Sequence, residues 1–282
     1  MAMCDHQPKL VELMDCAQAW GLALARDVRN HIAVRRSLTY NCGMTTGKRI
    51  EENYRAVRQR IEAACRRVGR DPASVMLVAV TKYAELECVR ALVDLGVVEL
   101  GESRPQQLAA RSQELSAPVH WHLIGHLQRN KVRAVLPLTE LIHSADSLRL
   151  LEAIERIADE LDLRPRVLIE VNLTGEEAKH GFREDELESA WSDVLRFEGI
   201  RVEGLMTMAK YSDDPEEARP VFARLRALRD RLERACPADS RVALPALSMG
   251  MTGDFEVAVE EGATIIRIGS ALWEGFATAD RG

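Results

Sequence analysis

The chain of 282 residues lacks any paired cysteine motif. Its six cysteines, Cys4, Cys16, Cys42, Cys65, Cys88 and Cys236, are widely and irregularly spaced. That spacing argues against a zinc site or a disulfide framework and favours a reducing, cytoplasmic setting. No stretch reaches the roughly 18 uninterrupted apolar residues a membrane span needs. A basic start followed by an apolar run and a small-residue cleavage site is also missing, so no secretory signal is expected. Positive charge is not in excess: 38 Lys and Arg stand against 44 Asp and Glu, a formal net charge of -6. This argues against general nucleic-acid binding. Lysine itself is scarce, six residues against 32 arginines, so a lysine in apolar surroundings stands out.

What is present is a globular composition, 46% hydrophobic and 29% charged. Residues 1–43 differ from the rest; they hold three of the six cysteines and no stable apolar face. They are expected to be a variable extension, disordered or read from an upstream start codon, with a single domain over 44–282. A docking helix is the plainer reading of the same stretch. Beyond it a helix is expected over Arg49–Val68, ended by Gly69. Met76–Val80 then reads as a buried strand. Further strands are expected at Val97–Leu100, Val119–Ile124, Leu141–His143, Val167–Asn172, Val202–Met208, Ala246–Met249 and Thr264–Ile268, with helices between them. Eight strands alternating with helices predict a closed (β/α)8 TIM barrel behind an N-terminal helix. A doubly wound open sheet is the alternative. It usually carries a Gly-rich phosphate loop after its first strand, where this chain has Thr81-Lys82-Tyr83.

In such a barrel the site lies at the carboxyl ends of the strands. Lys82 follows five apolar residues there. Partial desolvation of its ammonium favours the neutral amine, the form that makes a Schiff base with a carbonyl. The plainer reading is a strand-end ion pair with Glu102. The turns after strands seven and eight, where barrels often bind phosphate, read Ser248-Met249-Gly250-Met251-Thr252 and Gly269-Ser270. Either alone could be an ordinary capped turn. Arg267, the polar residue of the last strand, suits the ring nitrogen of a pyridine or a buried ion pair. A Schiff-base lysine facing a phosphate cup points to pyridoxal 5′-phosphate.

Read together, Val-Ala-Val-Thr-Lys82, Gly-Glu102-Ser, His-Trp-His122-Leu-Ile-Gly125, Leu-Gln128-Arg-Asn-Lys131, Val-Asn172, Gly-Leu-Met206, Leu-Ser248-Met-Gly-Met251-Thr252 and Arg267-Ile-Gly-Ser270 resemble the YggS/PROSC family of pyridoxal phosphate homeostasis proteins. Their fold is similar to the alanine racemase N-terminal domain. The resemblance spans about Arg49 to Phe276. It implies an internal aldimine on Lys82 and phosphate contacts from Ser248, Met251, Thr252, Gly269 and Ser270. It also implies a ring-nitrogen contact from Arg267 and a pocket lined by Asn172 and Met206. The family usually has Gly-Glu-Asn where this chain has Ser103, and a serine where it has Thr252.

A holder of the cofactor within vitamin B6 homeostasis, without catalytic turnover, is the expectation. Racemases built on this barrel add a β-rich second domain, and the chain ends at Gly282, soon after the last predicted strand. A racemase-type enzyme acting on amino acids is the alternative. Expected partners are pyridoxal phosphate itself and apoenzymes that receive it, with no nucleic acid, no membrane, and a monomer or weak dimer. His120, His122 and His126 lie close together without an acidic residue in register, so strand packing is expected of them and no metal. The Arg-rich helix from Arg219 to Arg234 reads as a solvated outer face.

Overall fold

The computed structural model of the chain describes residues 45–115, 117–176, 180–237 and 242–276. The extension expected over 1–43 lies outside them. Eight parallel strands close into a barrel in sequence order: β1 (Met76–Val80), β2 (Glu99–Glu102), β3 (His120–Leu123), β4 (Leu141–Ala145), β5 (Arg166–Glu170), β6 (Arg201–Met206), β7 (Ala246–Ser248) and β8 (Ile265–Ile268). Pairing of β1 with β8, Met76 opposite Ile265 through Ala79 opposite Ile268, makes the seam.

The helices are α1 (Thr46–Arg67), α2 (Leu86–Asp94), α3 (Pro105–Glu114), α4 (Val132–Val135), α5 (Leu148–Glu160), α6 (Glu184–Val194), α7 (Arg219–Ala235) and α8 (Phe255–Glu260). α1 precedes the first strand, yet it packs between α2 and α8 and so fills the place of an eighth crossover helix. Its apolar stripe of Ile50, Val57, Ile61, Ala64 and Cys65 repeats at helical spacing and is buried. Asn53 closes the ring by donating to the carbonyls of Leu272 and Glu274, both at 3.0 Å. On the other side Arg60 pairs with Glu256 and lies 4.5 Å from the Phe255 ring centroid.

Several boundaries differ from the sequence expectation, and three of the differences have a plain local reason. β2 runs Glu99–Glu102 rather than 97–100, because its register is set by the pairs Leu100–Trp121 and Glu102–Leu123. β5 stops at Glu170, so Asn172 belongs to the following turn. The helix expected over 128–135 is a 3-10 turn, the short α4 and a second 3-10 turn, with Pro137 unable to continue the helical ladder.

Alternation along the strands divides the interior in two. Outward side chains such as Ala79, Leu100, Leu123, Ile169, Leu205 and Ile266 join the helices in the main core. Inward ones form a separate small plug of Val78, Leu141, Leu168, Met206 and Ile265. This plug closes the barrel, so nothing larger than side chains passes through it.

Candidate functional site

Lys82 lies two residues beyond β1, in phase with the inward Val78 and Val80. Its neighbour Thr81 therefore faces the helix layer, where its hydroxyl donates to Glu102 Oε1 at 2.6 Å. Glu102 is fully buried and pairs with Arg111 of α3 at 2.9 Å. The strand-end ion pair weighed for Lys82 is thus made by Arg111 instead. The turn carrying Lys82 is fastened from several directions. Gln107 donates to the Lys82 carbonyl at 3.1 Å, and Arg111 to the Ala84 carbonyl at 2.6 Å. Trp273, in the tail after β8, donates from its indole to the Val80 carbonyl at 2.8 Å. The Lys82 ammonium lies 4.9 Å from the Tyr83 ring centroid. Sequence reasoning missed Gln107, Arg111 and Trp273. The available signal was Arg111 itself, a charge three residues after Leu108 and four before Leu115 on the buried side of α3.

Lys82 borders a cavity of about 860 Å³ at the carboxyl ends of the strands. Six of the nine expected site residues line it: Lys82, Met251, Thr252, Arg267, Gly269 and Ser270. Tyr83, Ser103, Lys210, Tyr211 and Trp273 share the wall. Two glycines shape it. Gly250 has φ +93°, and a Cβ there would lie 2.5 Å from Ala258 Cβ and 2.9 Å from Phe255 Cα. A Cβ on Gly125 would lie 2.2 Å from the Ser103 carbonyl oxygen, so the third strand's turn closes directly onto the second's. The Met251 N–H donates to Asp254 Oδ1 at 2.6 Å, which ties the β7 turn. Thr252, Gly253 and Ser270 line the same cavity, and no hydrogen bond from their backbone N–H groups occurs among the described residues.

The other three expected residues lie elsewhere. Ser248 is fully buried below the cavity, its hydroxyl held by Arg267 and His143. Met206 is part of the apolar plug. Asn172 shapes the turn after β5, donating to the Glu176 carbonyl and accepting from Thr174, beside a separate cavity that includes Arg183 and Arg224.

Arg267 is 4% exposed and sits at the cavity base. Its Nη1 donates to Ser248 Oγ at 2.5 Å and its Nη2 to the Thr207 carbonyl at 3.0 Å. Burial lowers its pKa to about 10, against the pull of Asp254 and Glu170, so it remains a cation at neutral pH. Glu170 is the reciprocal case. Burial, helped by the negative Asp146, raises its carboxyl to about 7, and Arg267 only partly offsets this. An acid raised in the folded state favours folding most below its unfolded value, near 4.5, and loses that advantage as pH climbs to about 7. Glu170→Gln is therefore expected to stabilise the protein by about 3 kcal/mol above pH 7. Urea unfolding across pH should show this gain shrinking toward zero near pH 4.5.

On the far rim three loops meet. His126 Nδ1 bonds Asp146 Oδ2 at 3.0 Å, and His180 Nδ1 lies 3.8 Å from the same oxygen. The two imidazoles stack with centroids 3.9 Å apart and planes 12° from parallel. The stack fastens the β5 loop to the β3 loop. His120 and His122 have the acidic partner the sequence did not reveal: both bond Glu99, at 2.8 and 2.7 Å.

Residues 47–275 match the family model described as alanine racemase, N-terminal domain. A pyridoxal phosphate homeostasis protein of Aquifex aeolicus is 41% identical over 223 residues, 79% of this chain and 96% of that protein. One from Pseudomonas aeruginosa is 35% identical, covering 79% and 94%. The structure of PipY from Synechococcus elongatus PCC7942, with PLP bound, is 32% identical, covers 79% of this chain and 99% of that one, and superposes with a TM-score of 0.70. An alanine racemase from Clostridium difficile 630 shares the fold alone, with a TM-score of 0.61 at 15% identity and 56% of its chain covered. With the barrel matched over nearly its whole length and several relatives above 30% identity, the chain belongs to the alanine racemase N-terminal domain family and, within it, to the pyridoxal phosphate homeostasis proteins.

Proposed function

We propose that this protein binds pyridoxal 5′-phosphate in the cavity at the barrel mouth, covalently through Lys82, and serves its intracellular homeostasis without turning over a substrate. One observation carries the reading. A lysine fixed on a braced turn shares one cavity with two turns whose free N–H groups and hydroxyls suit a phosphate, and with a buried cation at the base. When bound, pyridoxal phosphate supplies an aldehyde carbon that a primary amine attacks reversibly.

The residues fit that group in three places. Lys82 offers the only amine of the β1 turn. Thr252 and Ser270 offer hydroxyls beside the free amides of Thr252, Gly253 and Ser270, the donor set an anion needs. Arg267, after its bonds to Ser248 and the Thr207 carbonyl, retains N–H donors for a ring nitrogen. A guanidinium that keeps its proton leaves that nitrogen unprotonated, which weakens electron withdrawal by the ring. Weak withdrawal suits storage better than carbanion chemistry.

The relatives support the same reading. The homeostasis proteins of Aquifex aeolicus and Pseudomonas aeruginosa are matched over 96% and 94% of their length. Tyr83 and Tyr211 border the cavity, but Tyr211 is 91% exposed and, among the described residues, its hydroxyl bonds Asp213 alone, at 3.3 Å. A racemase needs an acid/base held firmly opposite its lysine. Apoenzymes that use the same cofactor are the inferred recipients. Cys65, Cys88 and Cys236 are free thiols, consistent with a reducing cytoplasm. Among the described residues no helix is long and apolar enough to cross a membrane.

Borohydride reduction after incubation with pyridoxal phosphate, followed by peptide mass mapping, should place the adduct on Lys82. An adduct confined to other lysines would overturn the assignment.

A further inference from the structure

Behind the cavity a line of buried polar groups crosses the barrel. Arg267 Nη1 lies 2.5 Å from Ser248 Oγ, and Ser248 Oγ lies 2.9 Å from His143 Nδ1. His143 Nε2 lies 2.8 Å from His122 Nδ1, and His122 Nε2 lies 2.7 Å from Glu99 Oε2. Ser248 and His143 are fully buried and His122 nearly so. Glu99 is the first residue of β2, at the amino-terminal face of the barrel, opposite the cavity.

A guanidinium only donates and a carboxylate only accepts, and one proton order between them leaves every group of the line satisfied, the serine hydroxyl included. Ser248 Oγ accepts from the guanidinium. The serine proton then goes to His143 Nδ1, which must be bare. His143 consequently carries its proton on Nε2 and gives it to a bare His122 Nδ1, and His122 donates from Nε2 to Glu99. The charges agree with this order. Burial, with the Arg267 cation nearby, holds His143 neutral, and Glu99, pushed up by burial, is brought below the usual carboxylate range by hydrogen bonds from His122 and His120. The remaining charged groups near Arg267 are Asp254 and Glu170, and their hydrogen bonds, among the described residues, do not include it.

The geometry points to one polarised hydrogen-bond chain, Arg267 to Ser248 to His143 to His122 to Glu99, in which a carboxylate on the opposite face of the barrel orients the guanidinium that meets the cofactor ring. Ser248, His143, His122 and Glu99 are positioning residues, acting through Arg267. Ser248 thereby gains a role different from the phosphate contact its motif implied. Hydrogen bonds in series polarise one another, and an ionised acceptor at one end strengthens the donors behind it. The functional half of this inference rests on the proposed cofactor site; the proton order does not.

Two measurements test it separately. In protein labelled with 15N-histidine and free of added cofactor, NMR at about pH 8 should show the Nε2–H tautomer for both His122 and His143. A proton on either Nδ1 would overturn the chain whether or not the cofactor binds. Pyridoxal phosphate titration should then show binding weakened about fivefold in Glu99→Gln and about tenfold in His143→Leu. His143→Gln, which keeps one acceptor and one donor, should recover most of the loss, and His120→Ala should bind as the parent does. Thermal unfolding of each variant checks that it is folded, and the near-surface Glu99→Gln carries the test if His143→Leu is not. Unchanged affinity in Glu99→Gln would overturn the positioning role. A parent protein that binds no cofactor would instead defeat the functional reading and leave the tautomer result standing.

Discussion

Lys82→Ala is expected to abolish the borohydride-fixed adduct and to weaken pyridoxal phosphate binding by on the order of a hundredfold, or about 2.7 kcal/mol. The phosphate donors at the β7 and β8 turns and Arg267 stay in place, because Lys82 supports none of them. Residual reversible binding should therefore survive. The contrast is sharpest in a thermal shift. At a ligand concentration about 100 times the parent's Kd, the parent gains about 2.7 kcal/mol from ligand and the variant about 0.4 kcal/mol. For a domain of this size that separates the two ligand-induced shifts by roughly 5–9 °C. Full affinity without a reducible adduct would mean a barrel that binds a phosphate compound noncovalently. Robust racemisation of an amino acid, lost in Lys82→Ala, would instead make the protein an enzyme.

The barrel was legible because strict strand–helix alternation leaves few topologies, and because inward and outward residues on buried parallel strands are both apolar. The rule placing the site at the strand ends then picked out Lys82, Arg267 and the two turns, all of which line one cavity. What could not be read was phase. Whether Ser248 points into the cavity or beneath it depends on where β7 ends, and a strand of three residues leaves no pattern to fix that. Asn172 lies in the turn after β5, where it bonds Thr174 and Glu176 beside a separate cavity. Nor can one sequence reveal partners across strands. Glu99 meets His120 and His122 only through the β2–β3 register, in which Glu99 sits opposite His120. The position of α1 was equally hidden. Its amphipathic stripe declares a helix, but only closure of β1 onto β8 shows the gap it fills.

Arg111→Met should be the most destabilising single change near the site. Glu102 has no exposure and a carboxyl pushed up by burial; Thr81 and Arg111 are what hold it down. One of its oxygens, Oε2, already lacks a hydrogen-bond partner, as does Arg111 Nη1. Removing the arginine leaves an uncompensated buried carboxyl and frees the Ala84 carbonyl next to the Lys82 turn. Breaking one side of a buried pair costs about 3–5 kcal/mol. Replacing both partners by apolar residues of similar volume removes the desolvation penalty along with the attraction. Glu102→Leu combined with Arg111→Met is therefore expected to recover most of the lost stability, with a coupling of about 1–3 kcal/mol in a double-mutant cycle measured by urea unfolding. The recovered protein should still form the Lys82 adduct more slowly than the parent, since the turn would have lost the Arg111 bond to the Ala84 carbonyl and the Thr81 bond to Glu102. Additive losses in the double variant would show that the pair stabilises the fold by packing alone.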